Sequence, residues 1–186
     1  GPNDMVLPFN SKYTTGTFTL SMNLFVSEDG EGAYWNFQGE QTVNQVFSHN
    51  MFAQADGTIQ FTDGANAIMA QTTINVGEWN QVDYEINLTD NSWKVSVNGE
   101  CAGAFANSSN AVASLNLYPT ANTNFFIDDI SFAWSEDIQS KTLDVSVEAN
   151  ATSIGGFVGM TETIGGTITN RGTENITEIE LSVEYP

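Results

Sequence analysis

The chain has 186 residues, 40% hydrophobic and 15% charged, and sets 23 Asp and Glu against 4 Lys and Arg for a formal charge of −19. A field of that sign repels phosphate backbones and anionic lipid headgroups, which argues against nucleic acid and membrane-surface partners, and no stretch approaches the ~20 apolar residues of a membrane span, so no direct membrane insertion is expected. The acids are spread, 15 against 2 bases in residues 1–136 and 8 against 2 in residues 137–186, so the charge reads as solubility of an exported protein rather than as a tail.

Helical periodicity is nearly absent, while apolar and polar residues alternate in many short stretches. No signal peptide precedes the first of them, and the expectation is a mature or trimmed form. In "TFTLSMNLFV" Phe18, Leu20, Met22, Leu24 and Val26 point one way and Thr19, Ser21 and Asn23 the other. The acidic loop "SEDGEG" follows, and in "AYWNFQG" Trp35 and Phe37 turn inward while Tyr34, Asn36 and Gln38 turn outward. Further strands are predicted from Val46 to Phe52, at "TIQFT", from Gln81 to Leu88, from Trp93 to Val97, at "ASLNLY" and at "NFFIDDISFAW". Asp-Gly, Asn-Gly and Pro turn signals lie between them. Many short antiparallel strands with such punctuation make an all-β sandwich or jelly roll.

His49, the sole histidine, sits on the mixed strand "FSHNMF" and reads as an ordinary surface or hydrogen-bonded residue, with no His cluster to hold zinc or non-haem iron. Between residues 82 and 97 a hairpin is legible. Val82, Tyr84, Ile86 and Leu88 face inward with Trp93, Val95 and Val97 on the return strand, and pairing across the loop "TDNS" sets Leu88 opposite Trp93, Ile86 opposite Val95 and Tyr84 opposite Val97. Asp83, Glu85, Asn87 and Lys94 then share the other face. Cys101, the only cysteine, allows no internal disulfide, and its neighbours in "CAGAFA" predict a buried, inert thiol. In "FFIDDISF" Asp128 falls in phase with Phe126, Ile130 and Phe132, which would make it an inward carboxylate. Such a group needs a partner: calcium is one, backbone amides and hydroxyls are the other, and Asp129 faces outward.

After Trp134 the polar connector "SEDIQSK" leads into a Thr-, Ile-, Val- and Glu-rich tail with strands at "LDVSVEA", "GTITNRG" and "TEIELSVEYP". The division expected is a domain over 1–136, a linker over 137–142 and a partial module over 143–186. Three strands fall short of the roughly seven of an immunoglobulin-like sandwich. The missing ones must come from a longer chain, the first domain or another copy, and the truncated module is open to self-association through its edges.

The run from "FTLSMNLFVSEDGEGAYWNFQG" through "INVGEWNQVDYEINLTDNSWKVSVNGE" to "LNLYPTANTNFFIDDISFAW" resembles a concanavalin A-like jelly roll, in particular the laminin-G-like domains of secreted and cell-surface bacterial proteins. Its carriers are Gly77-Glu78-Trp79 opening a strand, the hairpin ending in Asn98-Gly99, and the closing Ile127-Asp128-Asp129-Ile130. The tail is similar to the start of immunoglobulin-like modules that follow such domains in exported Gram-negative proteins. The resemblance implies location outside the cell or on its outer surface and a recognition or adhesive role. It also supplies a catalytic pattern to test: glucanases of this fold carry acid-x-acid-x-x-acid on one strand, with nucleophile and acid/base about 5 to 5.5 Å apart. Here Asp83-x-Glu85 is followed by Leu88, and Asp90 comes two residues late, in the turn. No "G-x-S-x-G" elbow and no phosphate loop accompany the glycines, so no catalytic residue is assigned.

Jelly rolls of this type bind glycans on a sheet face, with aromatic planes against sugar C–H groups and amides or carboxylates for hydroxyls. The candidate carbohydrate-binding residues are Tyr34, Asn36, Gln38, Gln60, Asp83, Glu85 and Tyr118, against the plainer reading of a generic polar face. Trp35, Trp79 and Trp93 fall at core positions, and Trp134 is assigned to interdomain packing. The function expected is non-catalytic recognition of an extracellular glycan or surface protein, in adhesion or targeting. A purely structural spacer is the alternative, and a divergent glycosidase the third reading.

Overall fold

A computed structural model describes residues 4–136, 145–149, 165–170 and 175–180. The chain divides into two units, Gly1–Asp137 and Ile138–Pro186. The first is an all-β jelly-roll sandwich of eleven strands: β1 (Met5–Tyr13), β2 (Thr17–Val26), β3 (Gly32–Gln38), β4 (Phe47–Gln54), β5 (Thr58–Thr62), β6 (Ile68–Thr73), β7 (Trp79–Asn87), β8 (Ser92–Val97), β9 (Glu100–Phe105), β10 (Val112–Leu117) and β11 (Phe125–Ser135). They form a six-stranded sheet ordered β1-β10-β3-β4-β5-β6 and a five-stranded sheet ordered β11-β2-β7-β8-β9.

The alternation in β2 and β7 does what its period dictates. Phe18, Leu20, Met22, Leu24 and Val26 of β2, with Val82, Tyr84 and Ile86 of β7, are all buried against Trp35, Phe37, Met51 and Leu115 of the other sheet. The β7–β8 hairpin keeps the predicted faces but not the predicted pairs: Ile86 lies opposite Trp93, Tyr84 opposite Val95 and Val82 opposite Val97. The register is displaced by two residues, an even number, so no side chain changes face. The cause is Asn87, whose side chain closes the turn by accepting from Asp90 N at 2.9 Å and donating to Asp90 Oδ2 at 2.8 Å, which frees Leu88 to donate its N–H to Gly16 O. Asn98 and Gly99 both take positive φ, 52° and 82°, the type I′ geometry that suits the two-residue connection of β8 to β9.

β11 corrects the expectation of an inward carboxylate. Phe125 pairs with Val26 and Ile127 with Leu24, so these face the core, while Phe126 and Asp128 point outward beside Phe25 and Asn23. The register then shifts so that Asp129 and Ile130 together oppose one residue, Met22, with Asp129 at φ 51°. This bulge reverses the phase and returns Phe132 to the core beside Leu20. Asp128 is exposed, which removes the buried charge that calcium was invoked to satisfy; among the described residues no group of three or more His, Cys, Asp or Glu is placed to hold a metal ion. Cys101 is likewise exposed, because β9 is an edge strand and its small residues pack on one side only.

His49 is fully buried between the sheets rather than at the surface. Its Nδ1 bonds the carbonyl of Thr62, which can only accept, so the proton sits on Nδ1 and Nε2 accepts from the Tyr84 hydroxyl at 3.3 Å. Tyr84 in turn accepts from Trp35 Nε1–H at 3.1 Å. Burial lowers the imidazole pKa to about 4 and drives that of the Tyr84 phenol upward.

In the second unit β12 (Val145–Ala149) pairs antiparallel with β13 (Gly166–Asn170). Residues 175–180 take no strand, and the rest of the strand expected at "TEIELSVEYP" lies outside the described residues.

Candidate functional site

Many outward residues of the six-stranded sheet are polar, and several of these are buried. Asn36 and Gln38 on β3 are 1% and 0% exposed, and Ser114 and Asn116 on β10 are 1% and 2%. Cross-strand pairing puts Gln38 beside Ser114, and Asn36 between Asn116 and Asn50. These amides are wired in series. Asn44 N–H donates to Gln38 Oε1 at 2.9 Å, and Gln38 Nε2 donates to Asn36 Oδ1. Asn36 Nδ2 donates to the Tyr34 hydroxyl at 3.1 Å, which donates to Asn50 Oδ1 at 2.7 Å, and Asn50 Nδ2 donates to Asn66 Oδ1 at 2.8 Å. Each member orients the next, and the low local dielectric strengthens the series. Ser114 Oγ and Asn116 Oδ1 lie beside it with no hydrogen-bond partner.

The series ends in a cleft of about 510 Å³ whose lining includes Tyr34, Phe47, Asn50, Phe52, Asn66 and Ser109. Tyr34 and Phe52, opposite each other on β3 and β4, stack with ring centroids 4.9 Å apart at 29°. Burial pushes the Tyr34 pKa up while the bond from Asn36 pulls it down, and the balance is upward, so the hydroxyl stays a donor. Asn66 is presented by a loop that Asp63 builds: Asp63 Oδ1 accepts from the N–H groups of Ala65 and Ala67, each at 2.9 Å. Burial works to raise the Asp63 pKa, but the bonds from Ala67, Ser108 and Ala65 outweigh it and hold the carboxyl below its usual range. Asn107 fixes the opposing wall, donating to Ser48 O and accepting from Gly64 N and Ser109 N. No lining side chain of the cleft carries a charge.

The seven candidate residues do not form one site. Tyr34 lines the cleft, Asn36 and Gln38 support it from below, and Tyr118 packs edge-on to Tyr34 with centroids 6.2 Å apart. Gln60 lies beside Phe52 on the same face and donates to Gln71 Oε1 at 2.9 Å. Asp83 and Glu85 are on the outer face of the five-stranded sheet, across the sandwich. There they border a trough of about 380 Å³ with Ser21, Lys94, Ser96 and Ser131, where Asp83 accepts from Gln81 Nε2 and Glu85 pairs with Lys94 at 3.5 Å. No third carboxylate lines that trough.

Phe52, Asn50 and Asn66 were not singled out from the sequence. Phe52 and Asn50 share the Tyr34 face because the β3–β4 register sets Tyr34 opposite Phe52 and Asn36 opposite Asn50. Asn66 depends on a loop closed by Asp63, for which alternation offers no sign. One tryptophan also departs from expectation. Trp79 is 52% exposed on the outer face of β7, because its phase follows the outward residues Gln81 and Asp83. Trp134 stacks on Tyr13 at 5.1 Å and donates Nε1–H to Thr15 O at 2.8 Å.

No family model matches the chain, and no curated protein matches it in sequence. Its fold is shared with solved structures at low identity. The carbohydrate-binding module CBM66 from Bacillus subtilis is 11% identical with a TM-score of 0.50, over 71% of this chain and 83% of that one. CG-16, a homodimeric agglutinin from chicken liver, is 13% identical with a TM-score of 0.51, over 70% and 100%. The alginate lyase AlgAT5 from polysaccharide lyase family 7 is 11% identical with a TM-score of 0.51, over 67% of this chain and 63% of the lyase. These likenesses establish a common jelly-roll sandwich fold.

Proposed function

We propose that the jelly roll is a non-catalytic glycan-binding module of an exported protein, and that the cleft on the six-stranded sheet takes the ligand. The observation that carries this is the Tyr34–Phe52 stack joined through the Tyr34 hydroxyl to Asn50 and Asn66. It sets an aromatic surface for sugar C–H groups beside amides whose orientation is already fixed, so little ordering entropy remains to oppose binding. The uncharged lining favours a neutral glycan over a uronate or sulfated one, whose charge would be desolvated without a cation to meet it. A carbohydrate-binding module and an agglutinin among the proteins of like fold support the same reading. Adhesion or substrate targeting outside the cell is the role this would serve.

A glycan array probed with and without calcium, followed by calorimetry on hits, tests the proposal. Binding of neutral glycans by the full chain, weakened in Phe52→Ala, supports it. Absence of binding in both conditions returns the domain to the role of structural spacer. Release of reducing ends from a bound glycan, abolished by Asp83→Asn, would instead revive a hydrolase reading at the trough on the other sheet.

A further inference from the structure

The five-stranded sheet carries a second surface that the glycan reading leaves unused. Phe126, Phe25 and Trp79 stand side by side across β11, β2 and β7 on its outer face, with ring centroids 5.9 and 5.5 Å apart. Phe126 is 56% and Trp79 52% exposed. Phe126 also walls a cleft of about 390 Å³ with Met5, Leu117 and Pro119, so the apolar surface runs on toward Met5 at the start of β1. A contiguous patch of this kind on a soluble protein marks an interaction site.

The rim identifies the partner. Glu28 lies against Gly77, so close that a Cβ there would be 3.1 Å from Glu28 Oε1, and Glu78 immediately precedes Trp79. Asp29 is fixed by a bond from Asn124 Nδ2 at 3.0 Å, beside the start of β11. Asp128 is the next outward residue after Phe126, and Asp129 Oδ2 accepts from Asn23 Nδ2 at 3.0 Å. No cation answers them: the two lysines among the described residues of this unit, Lys12 and Lys94, are paired with Glu40 and Glu85.

We propose that this end of the five-stranded sheet docks a cationic amphipathic segment of another protein. Its apolar side chains cover the aromatic row, and its Lys and Arg groups meet the carboxylates and the open ring faces. Other occupants fit less well. A second copy would bring the same acidic rim against itself, and residues 137–186 of this chain carry 8 acids against 2 bases. A glycan needs a common plane, whereas the rings are tilted by 60° and 68°.

Calorimetry of the full chain against a short synthetic peptide alternating Lys and Leu tests the proposal, with two controls: the same peptide with Glu for Lys, and a Lys peptide without Leu. The expected result is binding of the Lys/Leu peptide alone, weakening as salt is added. The joint change Trp79→Ser and Phe126→Ser, at two largely exposed positions, should weaken it about tenfold or more. Glu28→Gln with Asp128→Asn should weaken binding at low salt and flatten the salt dependence, while Tyr34→Ala leaves it intact. Equal binding of the Leu-free peptide would mean diffuse attraction to an acidic protein and overturn the proposal. So would equal binding of the Glu peptide, no binding at all, full affinity in the folded double variant, or a dimer in sedimentation that the double variant abolishes.

Discussion

The Tyr84 hydroxyl, carried by the five-stranded sheet, lies 3.3 Å from Nε2 of His49 on the six-stranded sheet. It is a polar tie through an otherwise apolar core, and every proton in it is assigned. Nδ1–H goes to Thr62 O, the Tyr84 hydroxyl to Nε2, and the Trp35 indole N–H to the Tyr84 oxygen. The imidazole can hold this arrangement only when neutral.

A specific pH dependence follows. Burial holds His49 at about 4, against about 6.5 in an unfolded chain. Below pH 6.5 the unfolded chain therefore takes up a proton that the native one refuses. The contribution is complete above pH 6.5 and is lost as the pH falls to about 4, with a slope approaching 1.4 kcal/mol per unit and a total of about 3 kcal/mol. Urea midpoints measured from pH 7 to 4 should show this slope, and His49→Gln should flatten it. The lowered carboxyl of Asp63 adds a further loss as the pH falls below about 3.9, the unfolded value.

Removing the bridging hydroxyl by Tyr84→Phe leaves the Trp35 N–H and His49 Nε2 buried without partners. The expected cost is about 1–3 kcal/mol, read as a lower urea midpoint at unchanged m-value. Affinity at the cleft should be unchanged, since Tyr84 points to the opposite side of the six-stranded sheet from Tyr34.

At the cleft, Tyr34→Phe keeps the stack and cuts the link between Asn36 and Asn50, while Phe52→Ala keeps the link and removes half of the platform. Each should weaken the glycan found by array screening by about three- to tenfold in calorimetry; Phe52→Ala should change the melting temperature little, while Tyr34→Phe, which leaves the buried Asn36 Nδ2 and Asn50 Oδ1 without that partner, should lower it. A loss confined to Phe52→Ala would show that the amide series does not orient the ligand.

Gly99 separates conformational strain from packing. A Cβ at this position would meet nothing within 4 Å, yet φ is 82°. Gly99→Ala should therefore cost about 1–2 kcal/mol from the left-handed backbone alone. Asn98→Gly in the same turn keeps the backbone unstrained but removes the side chain that accepts from Gln81 N–H and donates to Asn80 Oδ1, so any loss there comes from those hydrogen bonds and not from φ.

Cys101, exposed on β9, should react with a thiol-specific disulfide reagent in the native protein without denaturant.

Alternation made the central strands legible, since β2, β3, β7 and β8 each bury one face completely. It failed at the edges. β1, β6 and β9 were not recognised, and each is the margin of a sheet, where one or two buried residues suffice, as Ala70 does in β6. The fourth margin, β11, was found, but its bulge at Asp129 reverses the phase that Phe132 implied for Phe126 and Asp128. Tyr34, Asn36 and Gln38 were placed on the correct face. That Asn36 and Gln38 are sealed beneath it, and that Phe52 and Asn66 complete the cleft, depends on loops whose contacts no period records.

The cleft with Tyr34 and the aromatic row with Trp79 belong to different sheets, and stacked sheets are spaced by about 10 Å. Tyr34 and Trp79 therefore face opposite sides of the sandwich. Were both proposed ligands bound, one copy would couple a basic protein to a carbohydrate-coated surface. The strength of that attachment would then depend on how closely the two targets lie together.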